Sequence, residues 1–163
     1  MKSKLSPILA AIFIVACSSG SSDRSSIVTW AKQFASIHNR VQANLDQVQP
    51  LIDRISTRPP SASELDQLVD YNNRITSSYN ELIGIEPPPE AKAVHNKYVE
   101  TYAKTADYVR YYLIAVKQND LSYFDKSVTA AQEANRLGDE AYTAFQALLG
   151  RYSVSCQEID FCE

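Results

Sequence analysis

From residue 26 to residue 152, apolar side chains recur at intervals of three and four residues, which is the period of an α-helix. No segment in that range alternates with the period of two that a half-buried strand requires. Proline and glycine signals divide the pattern into four segments, so we expect four helices. Because the connections are short, consecutive helices should lie side by side. The predicted fold is therefore all-α, an antiparallel up-down-up-down four-helix bundle.

Local signals mark where these helices begin and bend. Two consecutive prolines end the first helix, and Ser61 with Glu64 has the capping-box spacing for the second. Three prolines precede the third helix, and Asp120 is a suitable N-cap for the fourth. Pro50 falls inside the first helix and predicts a kink near its end.

Each helix carries an apolar stripe that should face the core. On helix one the stripe comprises Ile27, Trp30, Phe34, Ile37, Val41, Leu45, Val48, Ile52 and Ile55. On helix four it comprises Phe124, Val128, Ala131, Asn135, Gly138, Ala141, Phe145 and Leu149.

Helix four has a second apolar face beside this stripe. Its apolar arc then approaches half the circumference, which is wider than one core requires. We predict that the second face contacts a protein partner or a second copy of the chain; the alternative is that alanine is simply a good helix former. The face comprises Ala130, Ala134, Leu137, Ala144, Ala147 and Leu148.

The first sixteen residues have the pattern of a secretory signal. Two lysines precede a twelve-residue apolar stretch, whereas crossing a bilayer takes about 20 residues. The stretch ends in Ile14-Val15-Ala16-Cys17, which resembles the lipobox of bacterial lipoproteins. The resemblance implies cleavage before Cys17 and acyl chains such as palmitate on that cysteine, which anchor the mature protein to a bacterial membrane outside the cytoplasm. Ser18, the next residue, is compatible with anchoring to either the inner or the outer membrane.

These patterns divide the chain into four parts. No apolar residue occurs between Cys17 and Ile27, so this stretch is expected to be a flexible tether. The predicted parts are the signal peptide (1–16), the lipidated cysteine with its tether (17–26), the four-helix bundle (27–152) and a C-terminal tail (153–163).

Cysteine usage predicts one disulfide. The chain has three cysteines, and lipidation of Cys17 leaves Cys156 and Cys162. An oxidising compartment favours a bond between them, which would close a short loop in the tail. Their spacing differs from the C-x-x-C spacing of redox and zinc motifs.

The mature chain is acidic. Once Lys2 and Lys4 are removed with the signal, 14 of the 16 basic residues and 19 acidic residues remain, which gives a formal charge of −5. This charge argues against nucleic acid as a partner and against adhesion to anionic lipid headgroups. The predicted membrane attachment therefore depends on the acyl chains.

Few side chains suit catalysis at neutral pH. His38 and His95 are the only histidines, and neither follows a glutamate by three residues, the spacing of di-iron bundles. Helix rises separate the two histidines by about 10 Å in height, which does not suit the two axial ligands of one haem. We therefore predict a non-enzymatic protein with no catalytic residue, no bound metal and no cofactor.

Four aromatic or imidazole side chains define a possible ligand cleft. Ten tyrosines are many for this length, and Tyr98 and Tyr102 lie one turn apart on helix three. Adding helix rises places His38 in one layer with Tyr102, Tyr79 and Gly138, with a tyrosine hydroxyl as its hydrogen-bond partner. The cleft residues are then His38, Tyr79, Tyr98 and Tyr102; the alternative is that these rings only fill the core.

Two functions from different classes follow. The first is a membrane-anchored interaction or scaffolding module, which contacts a protein partner or forms a homo-oligomer through helix four. The alternative is a small-ligand binding or sensory domain with a tyrosine-lined cleft. A ligand binder should have a closed apolar pocket near Tyr98 and Tyr102, whereas a scaffold should have a filled core and an exposed second face on helix four.

Overall fold

Four α-helices account for most of the described chain. The structure, a computed structural model, describes residues 23–161. This range contains no strand, so the all-α prediction is confirmed. The helices are α1 (Arg24–Ile55), α2 (Ala62–Ile83), α3 (Lys92–Gln118) and α4 (Leu121–Arg151), with short 3-10 turns at Pro89–Ala91 and Gln157–Ile159.

Several predicted features lie outside the described residues. They are the signal peptide, Cys17, most of the tether, and Cys162. None of the helices within residues 23–161 combines the length and the apolar character needed to cross a bilayer.

Side-chain caps begin three of the four helices. The backbone N–H of Ser26 donates to Asp23 Oδ1 over 2.7 Å, so α1 begins at Arg24 and includes the last three residues of the predicted tether. The predicted capping box is present at the start of α2, between Ser61 and Glu64. Asp120 caps α4, as predicted.

The carboxylate of Glu64 also accepts hydrogen bonds from the guanidinium of Arg58. Arg58 donates two hydrogen bonds to its carboxylate, over 2.9 and 2.6 Å. These bonds and the backbone N–H of Ser61 lower the pKa of Glu64 to about 2. The connection between α1 and α2 is thereby fastened to the positive end of α2, where an anion is stabilised.

Contacts between helix ends show how the helices run. Near the start of α1, the Trp30 ring lies 5.8 Å from the Phe145 ring, close to the end of α4. Trp30 Nε1 also donates to His95 Nδ1, near the start of α3, over 3.5 Å. At the other end, the Tyr112 hydroxyl of α3 donates to the Ile52 carbonyl over 3.1 Å. α1 and α3 therefore start at the same end, where α4 finishes.

The helices enclose two hydrophobic clusters along the bundle axis. The upper cluster centres on the rings of Trp30, Phe34 and Phe145, at the end where α1 begins. The lower cluster includes Leu51 and Leu68. The predicted stripe of α1 lines both clusters and is buried throughout, except for Leu45, which is half-buried and packs against both.

The C-terminal tail folds back onto the upper cluster. Phe161 is buried, and its ring lies 4.9 Å from Phe145 and 4.7 Å from His38. Asn39 Nδ2 donates to the Asp160 carbonyl over 2.9 Å. Because Cys162 lies beyond the described residues, its bond to Cys156 stays a prediction.

The second apolar face of α4 is partly buried within the monomer. Ala130, Ala134 and Leu148 are buried, Leu137 and Ala144 are half-buried, and Ala147 is exposed. The backbones of α3 and α4 run close together, and Ala130 lies beside Lys104 and Tyr111 of α3. The face is therefore less exposed than the sequence suggested, and its contact with a partner stays a prediction.

The predicted inward stripe of α4 is correspondingly displaced. Ala141, Phe145 and Leu149 are buried as predicted, but Val128 and Asn135 are exposed, Val128 by 56%. In this half of the helix Ser127 turns inward, and its hydroxyl donates to the Tyr108 carbonyl of α3 over 3.0 Å. The N-terminal half of α4 thus packs on α3 and leaves its other side uncovered.

Candidate functional site between helices α1, α3 and α4

The seam between α1 and α4 is open at mid-height. The backbones of α1 and α4 lie apart, and the rings of Trp30 and Phe34 contact the Phe145 ring at the end where α1 begins. Below these rings lies a cleft of about 480 Å³, with α1 and α4 as walls and α3 as floor. Its lining comprises His38, Val41, Gln42, Leu45, Tyr98, Thr101, Tyr102, Thr105, Ala134, Asn135, Gly138, Asp139 and Tyr142.

His38 and Tyr102 form a buried polar pair in this cleft. The Tyr102 hydroxyl and His38 Nδ1 are 2.7 Å apart, and His38 is only 9% exposed. Among the described residues this is the one hydrogen bond of the imidazole, and it confirms the predicted tyrosine partner. Nδ1 is thus engaged, and within residues 23–161 Nε2 has no hydrogen-bond partner.

The surroundings of this pair hold both groups neutral. The rings of Phe34, Tyr98 and Phe161 lie 5.7, 6.2 and 4.7 Å from the imidazole. Burial among them lowers the pKa of His38 to about 4, and burial also raises the pKa of Tyr102 well above its ordinary value. At neutral pH the pair therefore offers hydrogen-bonding groups without a charge.

Small residues of α4 keep the cleft open. A Cβ atom added to Gly138 would meet the Thr101 methyl at 3.7 Å, an ordinary contact, with nothing else within 4 Å. The absent side chain therefore makes room beside Thr101, and not beside His38 as the sequence suggested. The Thr101 hydroxyl donates to the Lys97 carbonyl within its own helix, over 2.9 Å, so its methyl is left to face α4.

Three of the four predicted cleft residues come together here. His38, Tyr98 and Tyr102 line the cleft, whereas Tyr79 is half-buried against the upper cluster and is absent from the lining. The assignment of Tyr79 to the cleft is wrong, because α2 packs on α1 and α3 and does not reach the α1/α4 seam. The other predicted histidine, His95, is buried two helical turns from Tyr102.

The cleft continues toward the lower cluster. A second cleft of about 300 Å³ shares Leu45, Thr105, Ala134 and Asn135 with the first. It adds Asp46 and Gln49 of α1, Tyr108 of α3 and Ala131 of α4. We call the two together the central groove.

Comparison with known proteins gives the groove no precedent. No protein-family model, no curated protein and no solved structure matches this chain. Within residues 23–161, no three histidine, cysteine, aspartate or glutamate side chains are grouped so that they could hold a metal ion. The chemistry of the groove therefore depends on its own lining residues.

That lining combines an apolar floor with polar rims. Val41 and Leu45 supply apolar surface, and the amides of Gln42, Gln49 and Asn135 lie along the exposed edges. A few convergent polar groups around an apolar concavity are typical of small-molecule sites. The sequence signal that could have located the site is the pair Asn135 and Gly138, a polar residue and a glycine within an otherwise apolar stripe.

Proposed function

We propose that this protein is an extracytoplasmic lipoprotein that binds a small molecule in the central groove. The observation that carries the proposal is the cleft beside His38 and Tyr102, where a neutral imidazole and phenol meet polar rims. The proposed architecture is an up-down-up-down bundle, open along the α1/α4 seam and closed at one end by the tail. We propose no proton-transfer role for His38, since a histidine with a pKa of about 4 is a poor proton acceptor at neutral pH.

Ligand binding replaces scaffolding as the favoured function because of where the α4 residues lie. A scaffold required the second face of α4 to be exposed, and half of that face is buried. The observation that still favours a protein contact is the pair Leu121 and Val128, which are 74% and 56% exposed. Two such residues form a smaller surface than the face predicted from sequence.

Filling the cleft from Gly138 tests the binding proposal. A leucine there should occupy the cleft and abolish binding of small molecules, whereas alanine fits beside Thr101 and should leave binding intact. We would titrate the isotope-labelled mature chain with a library of small fragments and follow the amide resonances of Thr101, Ala134 and Asn135. Binders should shift these resonances in the wild type and in Gly138→Ala, but not in Gly138→Leu. Shifts that persist in Gly138→Leu, or no binder at all, would contradict the proposal.

The predicted anchor and disulfide are measured together by mass spectrometry. Protein purified from membranes and alkylated without reduction should carry acyl groups on Cys17 and no alkyl label on Cys156 or Cys162. Cys17→Ser should be released from membranes or remain unprocessed. An unmodified Cys17 in the native mature protein would exclude the anchor, and a label on either tail cysteine would exclude their bond.

A further inference from the structure

The central groove is elongated along the bundle axis. Its α1 wall runs from His38 to Gln49 and its α4 wall from Tyr142 to Ala131. Each wall covers eleven residue steps, about 16 Å at the rise of an α-helix. An occupant that fills the groove is therefore an extended chain, and a single ring would fill only part of it.

The charge of the groove has one sign. Its lining contains two carboxylates, Asp46 and Asp139, and no lysine or arginine. Neither carboxylate forms an ion pair within residues 23–161. On the other side of α4, by contrast, Glu140 pairs with Lys97 over 3.2 Å and Glu133 pairs with Lys104. A cationic ligand in the groove therefore does not compete with a lysine or arginine of the chain for Asp46 or Asp139.

The two carboxylates stand near opposite ends of the groove. Asp139 lies in the cleft of His38, and Asp46 follows His38 by eight residues on α1, about 12 Å along the axis. On α4, Asp139 lies eight residues after Ala131, and Ala131 lines the cleft that contains Asp46. Counting along α4 therefore gives the same separation between the two aspartates. Between them lie the apolar surfaces of Val41, Leu45 and Ala134.

We propose that the ligand of the central groove is a linear aliphatic diamine or polyamine with ammonium groups about 12 Å apart. One ammonium donates to Asp139 and the other to Asp46, with charge-assisted hydrogen bonds at the exposed rims, where both stay partly hydrated. The methylene chain lies on the apolar floor between them. The amide side chains of Gln42 and Asn135 line the same cleft, and their oxygens can accept a hydrogen bond from an inner amine. This inference rests on the proposed binding function and specifies its ligand class.

Calorimetry on the mature chain in neutral detergent tests the ligand class. The probe is 1,8-diaminooctane, compared with 1-aminooctane, 1,4-diaminobutane and octanedioate. We expect one molecule of 1,8-diaminooctane per chain, bound at least about tenfold more tightly than each comparison compound, as one charge-assisted contact implies. Equal binding of the short and the long diamine, or tighter binding of octanedioate, would overturn the inference.

Matched variants locate the contacts. Asp46→Asn and Asp139→Asn should each weaken the long diamine about tenfold, to the affinity of 1-aminooctane. Asp125→Asn removes a carboxylate of α4 outside the groove and should change nothing. Equal loss in all three variants would mean binding to overall negative charge and would overturn the inference. If fragments bind to the wild type but not to Gly138→Leu, and 1,8-diaminooctane does not bind to the wild type, the proposed ligand class is wrong. The proposed binding function then stands.

Discussion

Replacing Phe161 with alanine is expected to lower the free energy of unfolding by about 3 to 5 kcal/mol, the usual cost of truncating a buried aromatic ring. Phe161 is buried, and its ring lies within 6 Å of Phe34, His38 and Phe145. Its removal leaves a cavity that these rings can fill only by moving. Urea denaturation followed by circular dichroism measures the change.

The control for this experiment is Leu121→Ala. Leu121 is an equally apolar side chain, but it is 74% exposed, so its truncation should change the free energy by no more than about 0.5 kcal/mol. If Phe161→Ala costs no more than this control, the tail does not belong to the upper cluster in solution.

Acidification should destabilise the fold before the carboxylates titrate. The pKa of His38 falls from 6.5 in the unfolded chain to about 4 in the fold, because burial penalises the imidazolium. Between these values the unfolded chain binds a proton that the folded chain excludes, so stability is full above about pH 6.5 and declines as the pH falls toward 4. The shift corresponds to a loss of about 3 kcal/mol at the end of that window.

Urea midpoints at several values between pH 7 and pH 5 would measure this decline, and His38→Gln should reduce its slope. Glutamine cannot be protonated, and its oxygen can still accept from Tyr102. A smaller slope should remain, since burial also lowers the pKa of His95. Of the groups packed against His38, Tyr102 has a raised pKa, and Phe34 and Phe161 have no ionisable group, so none of these three titrates in this range. The carboxylate of Asp139 lines the same cleft and is present in both the wild type and His38→Gln, so the comparison of the two slopes isolates His38. Identical slopes in wild type and variant would rule out His38 as the source.

The parts of the fold that sequence predicts are those that local interactions decide. The stripe of α1 is correct at almost every position, because a broad apolar face at helical spacing can be buried in only one orientation. The caps at Ser61 and Asp120 are correct because the cap and the N–H group it accepts from lie within three residues.

The orientation of α4 depends on a neighbour. Its two apolar faces both contain alanine, so periodicity alone cannot say which of them meets α3. In the fold, Ala134 is turned inward and Val128 outward, with Ser127 hydrogen-bonded to the α3 backbone. The burial of His95 likewise depends on a distant partner, the indole of Trp30.

The candidate site was only partly predictable for the same reason. His38 and Tyr102 could be paired by counting helix rises, since both belong to correctly placed stripes. The carboxylates Asp46 and Asp139 carry no signal of their own, because each looks like an ordinary exposed residue until α1 and α4 are known to stand apart.

Leu45, which packs against both hydrophobic clusters, has a consequence for motion. Among the half-buried apolar side chains of residues 23–161, Leu45 is the one that packs against both clusters, and it lies beside the central groove. Because each cluster has its own buried residues, we expect the two halves of the bundle to protect their amides from hydrogen exchange to different degrees. A molecule seated beside Leu45 would contact both halves at once and should bring their exchange rates together.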